Sequence, residues 1–151
     1  LDYIELFREE LLLAVSPDWD LGRDPMYDEG LHSRYPVFDY HSLDGHPFLV
    51  MKEGQELRHS FFALVEALDI SPIVALETTD MATAQTLAGI GVGAAIVPGG
   101  LALANIPAVE PKYFSLRAYL DDWDVVLAYK RGRYLSKADK AVIRVICDVA
   151  G

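Results

Sequence analysis

Between residues 47 and 98 the chain alternates short apolar runs with amphipathic stretches, and this alternation limits the possible fold more than any other feature. "PFLVM" (47–51), "IVALE" (73–77) and "GAAIVP" (93–98) are continuous apolar runs of strand length bounded by turn residues. Between them, "GQELRHSFFALVEALD" (54–69) sets Leu57, Phe61, Val65 and Leu68 at helical spacing, with Phe62 widening the stripe. "TDMATAQTLAGI" (79–90) reads as a second helix with Thr78 or Thr79 as its N-cap. Strand–helix–strand–helix–strand with short connections implies an α/β fold with a parallel sheet and right-handed crossovers.

Elements on either side extend the pattern. Leu11 to Val15 is a short apolar run that reads as a buried strand, ended by the turn Ser16-Pro17-Asp18. Residues 17–46 are polar and read as a long connection with one short helical turn. Its aromatics Tyr27, Tyr35, Phe38 and Tyr40 are expected to hold it against the body. "YFSLR" (113–117) and "DVVLAYK" (124–130) read as strands. Ser136-x-x-Asp139 is a capping-box variant opening a last helix, with Ala141, Val142, Val145, Ile146 and Val149 on its apolar face.

The glycines test the function. "LAGIGVGAAIVPGG" (87–100) holds five of the chain's eleven glycines, and Gly89-x-Gly91-x-x-Ala94 fits a loose dinucleotide fingerprint. That fingerprint needs strand, glycine turn and then helix, so that a helix N-terminus faces the phosphates. Here the glycines follow a helix and precede a strand, at the negative end of the helix dipole. Gly89 or Gly91 fits the left-handed position that ends a helix, and Gly93 with the alanines allows close packing of helix on strand.

Ligands of open parallel sheets sit outside the carboxyl ends of the strands. Three loops leave those ends: Lys52-Glu53-Gly54-Gln55-Glu56, Glu77-Thr78-Thr79-Asp80 and Pro98-Gly99-Gly100. They form a candidate rim for a small polar ligand. The same threonines would also serve simply to cap a helix.

No other constellation supports catalysis. His41 and His46 lack a partner cysteine or carboxylate cluster, so no metal ligand set is assigned. There is no G-x-S-x-G elbow, and Cys147, the only cysteine, falls inside the last helix. Asp121-Asp122-x-Asp124 lacks the Gly and Glu of an EF-hand loop and reads as a solvated turn. The single cysteine excludes a disulfide framework and is simplest in a reducing cytoplasm. A net charge of −10 argues against this chain gripping nucleic acid by itself, and equally against an anionic membrane surface. No apolar run spans a bilayer, and the acidic, amphipathic "LDYIELFREE" is not a signal peptide.

"HSLDGHPFLVMKEGQELRHSFFALVEAL" followed by "IVALETTDMATAQTLAGIGVGAAIVP" resembles the effector-binding domain of LysR-type transcriptional regulators. The resemblance takes in the early helical Arg58, the threonine-rich cap and the glycine run from Leu87 to Pro98. "EELLLAVSPD" resembles the strand before the family's first interlobe crossing, and "LAYKRGRYLSKADKAVIRVICDV" its last strand and closing helix. The family's usual Pro-Asp-His-Pro-Leu turn reads Pro17-Asp18-Trp19-Asp20-Leu21 here, which makes Trp19 a candidate either for the cleft or for packing.

The resemblance implies a type 2 periplasmic-binding-protein-like fold: two α/β lobes with mixed or parallel sheets and an effector cleft between them. Residues 40–117 would form the second lobe and 17–39 a connection. Residues 1–16 and 118–151 would be a remnant of a first lobe only partly present, and the Met-less start agrees with an incomplete chain. Carried over by position, the effector-binding residues would be Lys52, Glu53, Gly54, Gln55, Thr78, Thr79, Pro98 and Gly99. Lys52 and the helix N-termini favour an anion; Glu53, Glu56 and Asp80 oppose it, so zwitterions, amines and neutral molecules stay open.

The resemblance further implies a cytoplasmic homo-oligomer, dimer or higher, with no cofactor. It would meet DNA only through a winged helix–turn–helix domain absent from this chain. Three rival readings are a solute-binding protein of the same fold serving transport, an enzyme on this scaffold such as a dehydratase, and a purely structural dimerisation module.

Overall fold

Leu11–Val15 is buried along its whole length and pairs with a strand on each side. A computed structural model describes residues 2–22, 24–129 and 136–150. Contacts divide the chain into two units, Leu1–Glu9 with Asp122–Gly151, and Glu10–Asp121.

The strands of the larger unit are β2 (Leu11–Val15), β3 (Pro47–Met51), β4 (Ile73–Thr78), β5 (Ala95–Pro98) and β6 (Lys112–Ser115). Its helices are α1 (Glu56–Leu68), α2 (Met81–Gly89) and α3 (Gly99–Ala104). β3 and β4 pair in parallel, from Pro47 opposite Ile73 to Met51 opposite Thr78. β3 joins the approach to β5 in the same sense, through Leu49 N–H to Ala94 O (2.8 Å) and Ala94 N–H to Pro47 O (2.9 Å). β2 then pairs antiparallel with β5 on one side and β6 on the other.

The order is β4-β3-β5-β2-β6: the three strands of 47–98 run parallel as expected, and β2, reversed between β5 and β6, makes the sheet mixed. β5 and β6 pair with both edges of β2, while Leu12 and Ala14 on one of its faces pack against Ala84 and Ala88 of α2.

Alanines set the core. Ala84 and Ala88, one helical turn apart on α2, meet Ala95 and Val97 of β5 together with Leu12, Ala14, Leu49 and Ala102. α2 ends in a paired turn: Gly91, at φ +91°, gives its N–H to Ala88 O, and Val92 gives its N–H to Leu87 O. Gly91 is therefore the left-handed residue after the helix. Gly89 is needed for a different reason: a Cβ there would lie 2.0 Å from Val109 O. A Cβ on Gly93 would press on Pro47 and Phe48 of the neighbouring strand at 3.1–3.2 Å, so that glycine serves strand–strand approach and not helix packing.

The inner face of α1 is Leu57, Phe61, Leu64 and Leu68, and the expected Phe62 is half-exposed with the Arg58 guanidinium 5.2 Å over its ring. The long connection holds two 3-10 turns, Glu29–Leu31 and Tyr40–Leu43. Phe38 and Tyr40 bury there as expected, in edge contact with each other, and Phe38 also meets Phe114 edge-on, while Tyr27 is exposed. α3 was not expected: Gly99-Gly100 suggests only a turn, but the helix packs Ala102 into the core.

The smaller unit pairs β1 (Asp2–Glu9) antiparallel with β7 (Trp123–Tyr129), with a register shift between Glu5 and Phe7. β1 carries the adjacent apolar pairs Tyr3-Ile4 and Leu6-Phe7, so its alternation shows in burial and not in the residue pattern, and it was not expected as a strand. Lys130, the last residue of the expected strand 124–130, lies outside the described residues. α4 (Lys137–Ala150) opens on the expected reciprocal pair, Ser136 N–H to Asp139 Oδ2 and Asp139 N–H to Ser136 Oγ. Its expected apolar face is rotated. Ile143, Ile146 and Cys147 are half-buried, whereas Val142, Val145 and Val149 are exposed.

Candidate functional site

Parallel strands bring their carboxyl ends to one edge, so β3, β4 and β5 deliver Lys52, Thr78 and Gly99 to the same rim. Lys52 N–H donates to Thr78 O at 3.0 Å, which fixes the first two loops to each other. Lys52 to Gln55 is a tight turn, closed by Gln55 N–H to Lys52 O, with Gly54 at φ +84° and open space where a Cβ would stand. A positive φ in that place favours glycine. The side chains of Lys52, Glu53, Gln55 and Thr79 are exposed, Thr78 is half-buried and Pro98 is buried.

The two helix starts at this rim differ. Gln55 precedes α1 without a side-chain hydrogen bond to the helix, so the first turn keeps its N–H groups toward the rim. α2 is already capped, and by Asp80, not by Thr78 or Thr79. The Asp80 carboxylate accepts Ala82 N–H at 3.1 Å and the Thr83 hydroxyl at 2.8 Å. Thr78 Oγ1 instead accepts Asp80 N–H at 3.2 Å. A carboxylate accepts more strongly than a hydroxyl at the positive end of a helix. Negative charge therefore occupies the α2 end, and Lys52 stands beside the open α1 end.

Arg58, singled out by the resemblance, is a scaffold residue. Its guanidinium donates to Met51 O (2.9 Å) and to Glu77 Oε1 (3.1 Å), tying the ends of β3 and β4. The third loop is bound too: Gly99 N–H donates to Glu10 O at 2.8 Å. Sequence reasoning missed Glu10, whose partners come from distant segments; Asp80 was legible as the better cap.

Two hollows lie away from the middle of the rim. One, of about 330 Å3, is bounded by Asp80, Thr83, Thr86 and Asn105 beside α2. The other, of about 440 Å3, is bounded by Trp19, Asp20, Asp24 and Lys112. Trp19 stacks at 5.2 Å on His46, which precedes β3, so this hollow lies at the opposite ends of the strands, and Trp19 packs there. His41 pairs with Asp39 at 2.9 Å. Among the described residues no group of three or more His, Cys, Asp or Glu is placed to hold a metal ion. No described helix is long and apolar enough to cross a membrane.

A model of the LysR substrate binding domain family matches residues 1–150. The chain belongs to this family. Solved structures share its fold, the mixed α/β fold of type 2 periplasmic binding proteins. The regulatory domain of CcmR from Synechocystis PCC6803, solved in complex with 2-PG, matches with a TM-score of 0.77 at 13% identity, over 99% of this chain and 66% of that one. The effector binding domain of QuiR in complex with shikimate gives 0.70 at 18% identity, over 99% and 65%. The C-terminal domain of a probable LysR family regulator from Rhodococcus sp. RHA1 gives 0.70 at 17%, over 96% and 66%. This LysR-family chain thus spans just under two thirds of the length of the first of these domains. No curated protein matches its sequence.

Proposed function

We propose that the chain is the effector-sensing part of a LysR-type transcriptional regulator. A small metabolite binds at the rim made by Lys52, Glu53, Gly54, Gln55, Thr78, Thr79, Pro98 and Gly99. This rim is one wall of the effector cleft of the family fold. Binding shifts lobe closure and so biases DNA binding by a winged helix–turn–helix domain carried elsewhere in the protein. The function is one of binding and not of turnover, and its place is the cytoplasm.

The observation that carries this reading is the convergence of three loops at one sheet edge, with one helix start left without a side-chain cap. Related domains solved with 2-PG and with shikimate support a small polar effector. The exposed apolar side chains of the edge strand β4 (Ile73, Val74 and Leu76), with Phe62 nearby in sequence on α1, support self-association, which sedimentation would measure.

The test is a thermal-shift screen of small metabolites. A ligand that binds only the folded state must stabilise it, by about 2.7 kcal/mol at a hundredfold excess over Kd. A hit is expected to weaken in Lys52→Ala and Thr78→Val. Sequence-specific duplex binding by this chain alone, or a hit indifferent to every rim variant, overturns the proposal.

A further inference from the structure

Glu10 is a heavily committed carboxylate of the larger unit. Its side chain is only 10% exposed. Oε1 accepts the Ser33 hydroxyl at 2.8 Å, Oε2 accepts the Ser115 hydroxyl, and Arg117 Nε stands 3.8 Å from Oε2. Arg117 also donates through Nη1 to Leu31 O (3.3 Å) and His32 O (2.8 Å). His32 is one of two non-glycine residues with positive φ among those described, at +51°. Such a conformation costs on the order of 1 kcal/mol and persists where its surroundings hold it. Glu10 and Arg117 together hold this turn: one takes the Ser33 hydroxyl, the other the two carbonyls before it.

The same residue reaches the rim. The Glu10 carbonyl accepts Gly99 N–H, and a Cβ on Gly99 would stand 3.2 Å from that oxygen. Leu11, the next residue, pairs with Pro98. Gly99 therefore cannot move without moving the Glu10 backbone, and the Glu10 carboxylate is anchored to residues 31–35 and 115–117. We infer that Glu10 is a positioning residue for the rim: it holds Gly99 in place and links it to the strained turn at His32, so that displacement of either loosens the other. This rests on the rim as the effector site, but the coupling itself is a property of the unliganded protein.

Amide hydrogen exchange on the whole chain without ligand tests it, and its failure would leave the screen for effectors untouched. Glu10→Gln keeps the size but loses an acceptor for one hydroxyl and the charge facing Arg117. The amides of Gly99 and Tyr35 are expected to exchange about tenfold faster, the equivalent of one charged hydrogen bond, with Leu12 to Ala14 of the central strand unchanged. A uniform acceleration of all these amides means a structural role only and overturns the proposal. So does faster Tyr35 exchange with Gly99 unmoved. Should Glu10→Gln fail to fold, Ser33→Ala removes one bond at the far side of Glu10. Faster Gly99 exchange there supports the link, and an unchanged rate overturns it.

Discussion

Replacing Gly89 by alanine separates helix propensity from packing. Gly89 is the last residue of α2, and on propensity alone the change gains about 1 kcal/mol. The structure predicts the opposite sign. The new Cβ would lie 2.0 Å from Val109 O, 3.1 Å from Val109 C and 3.4 Å from Pro111 Cδ. The nearest atom is a backbone carbonyl oxygen, so no rotamer relieves it, and the segment around Val109 must retreat until ordinary contact is restored. Overpacking of this kind costs about 1–3 kcal/mol, and a backbone obstacle puts it near the top of that range. The net expectation is a loss of about 2 kcal/mol, or a Tm lower by about 4–8 °C for a chain of this size.

The two units require a probe confined to one of them. Trp19 lies in the larger unit, so urea unfolding followed by its fluorescence in a Trp123→Phe background reads the right transition. Gly54→Ala is the comparison, since its Cβ meets nothing within 4 Å and its cost is backbone strain alone. A Gly89→Ala protein as stable as its parent, or more stable, would refute the packing argument and return Gly89 to the role of an ordinary helix end.

Other outcomes follow from the same structure. Asp80→Ala should cost about 1 kcal/mol by uncapping α2, read as a lower urea midpoint, while Thr79→Ala should cost nothing measurable. Gln85 is fully buried and bonded to Asn105, Tyr113 and the Leu101 carbonyl, so Gln85→Leu should cost about 3 kcal/mol by thermal melting; a neutral result would mean those partners re-pair. Burial, then the nearby Tyr119 and Glu10, holds the Tyr40 hydroxyl far above its ordinary value. The folded state keeps that proton where the unfolded chain loses it. The resulting stability is complete below about pH 10 and falls above it, by up to about 1.4 kcal/mol per pH unit. Burial also raises Tyr113 and Tyr35, so Tyr40→Phe should make the alkaline fall in urea midpoint shallower without abolishing it.

Local periodicity carried much of this protein. The runs at 11–15, 47–51, 73–77 and 93–98 became β2 to β5, and the capping pair Ser136 and Asp139 opened α4, because strand length, helical spacing and caps depend on residues a few positions apart. The same local logic expected Gly89 or Gly91 at the end of a helix, where α2 ends at Gly89 with Gly91 left-handed after it, and the family resemblance rested on that stretch. Pairings between distant residues were decided only in three dimensions. β1 finds its partner in β7 more than a hundred residues later, and β2 inserts in reverse between β5 and β6. Gly89 is obligatory because Val109 passes over it, and Glu10 meets Ser33, Ser115 and Arg117 from opposite parts of the chain. Such contacts leave no period in the sequence. The order of the rim was therefore legible from the strands that feed it, while the residues that hold the rim in place emerged from packing alone.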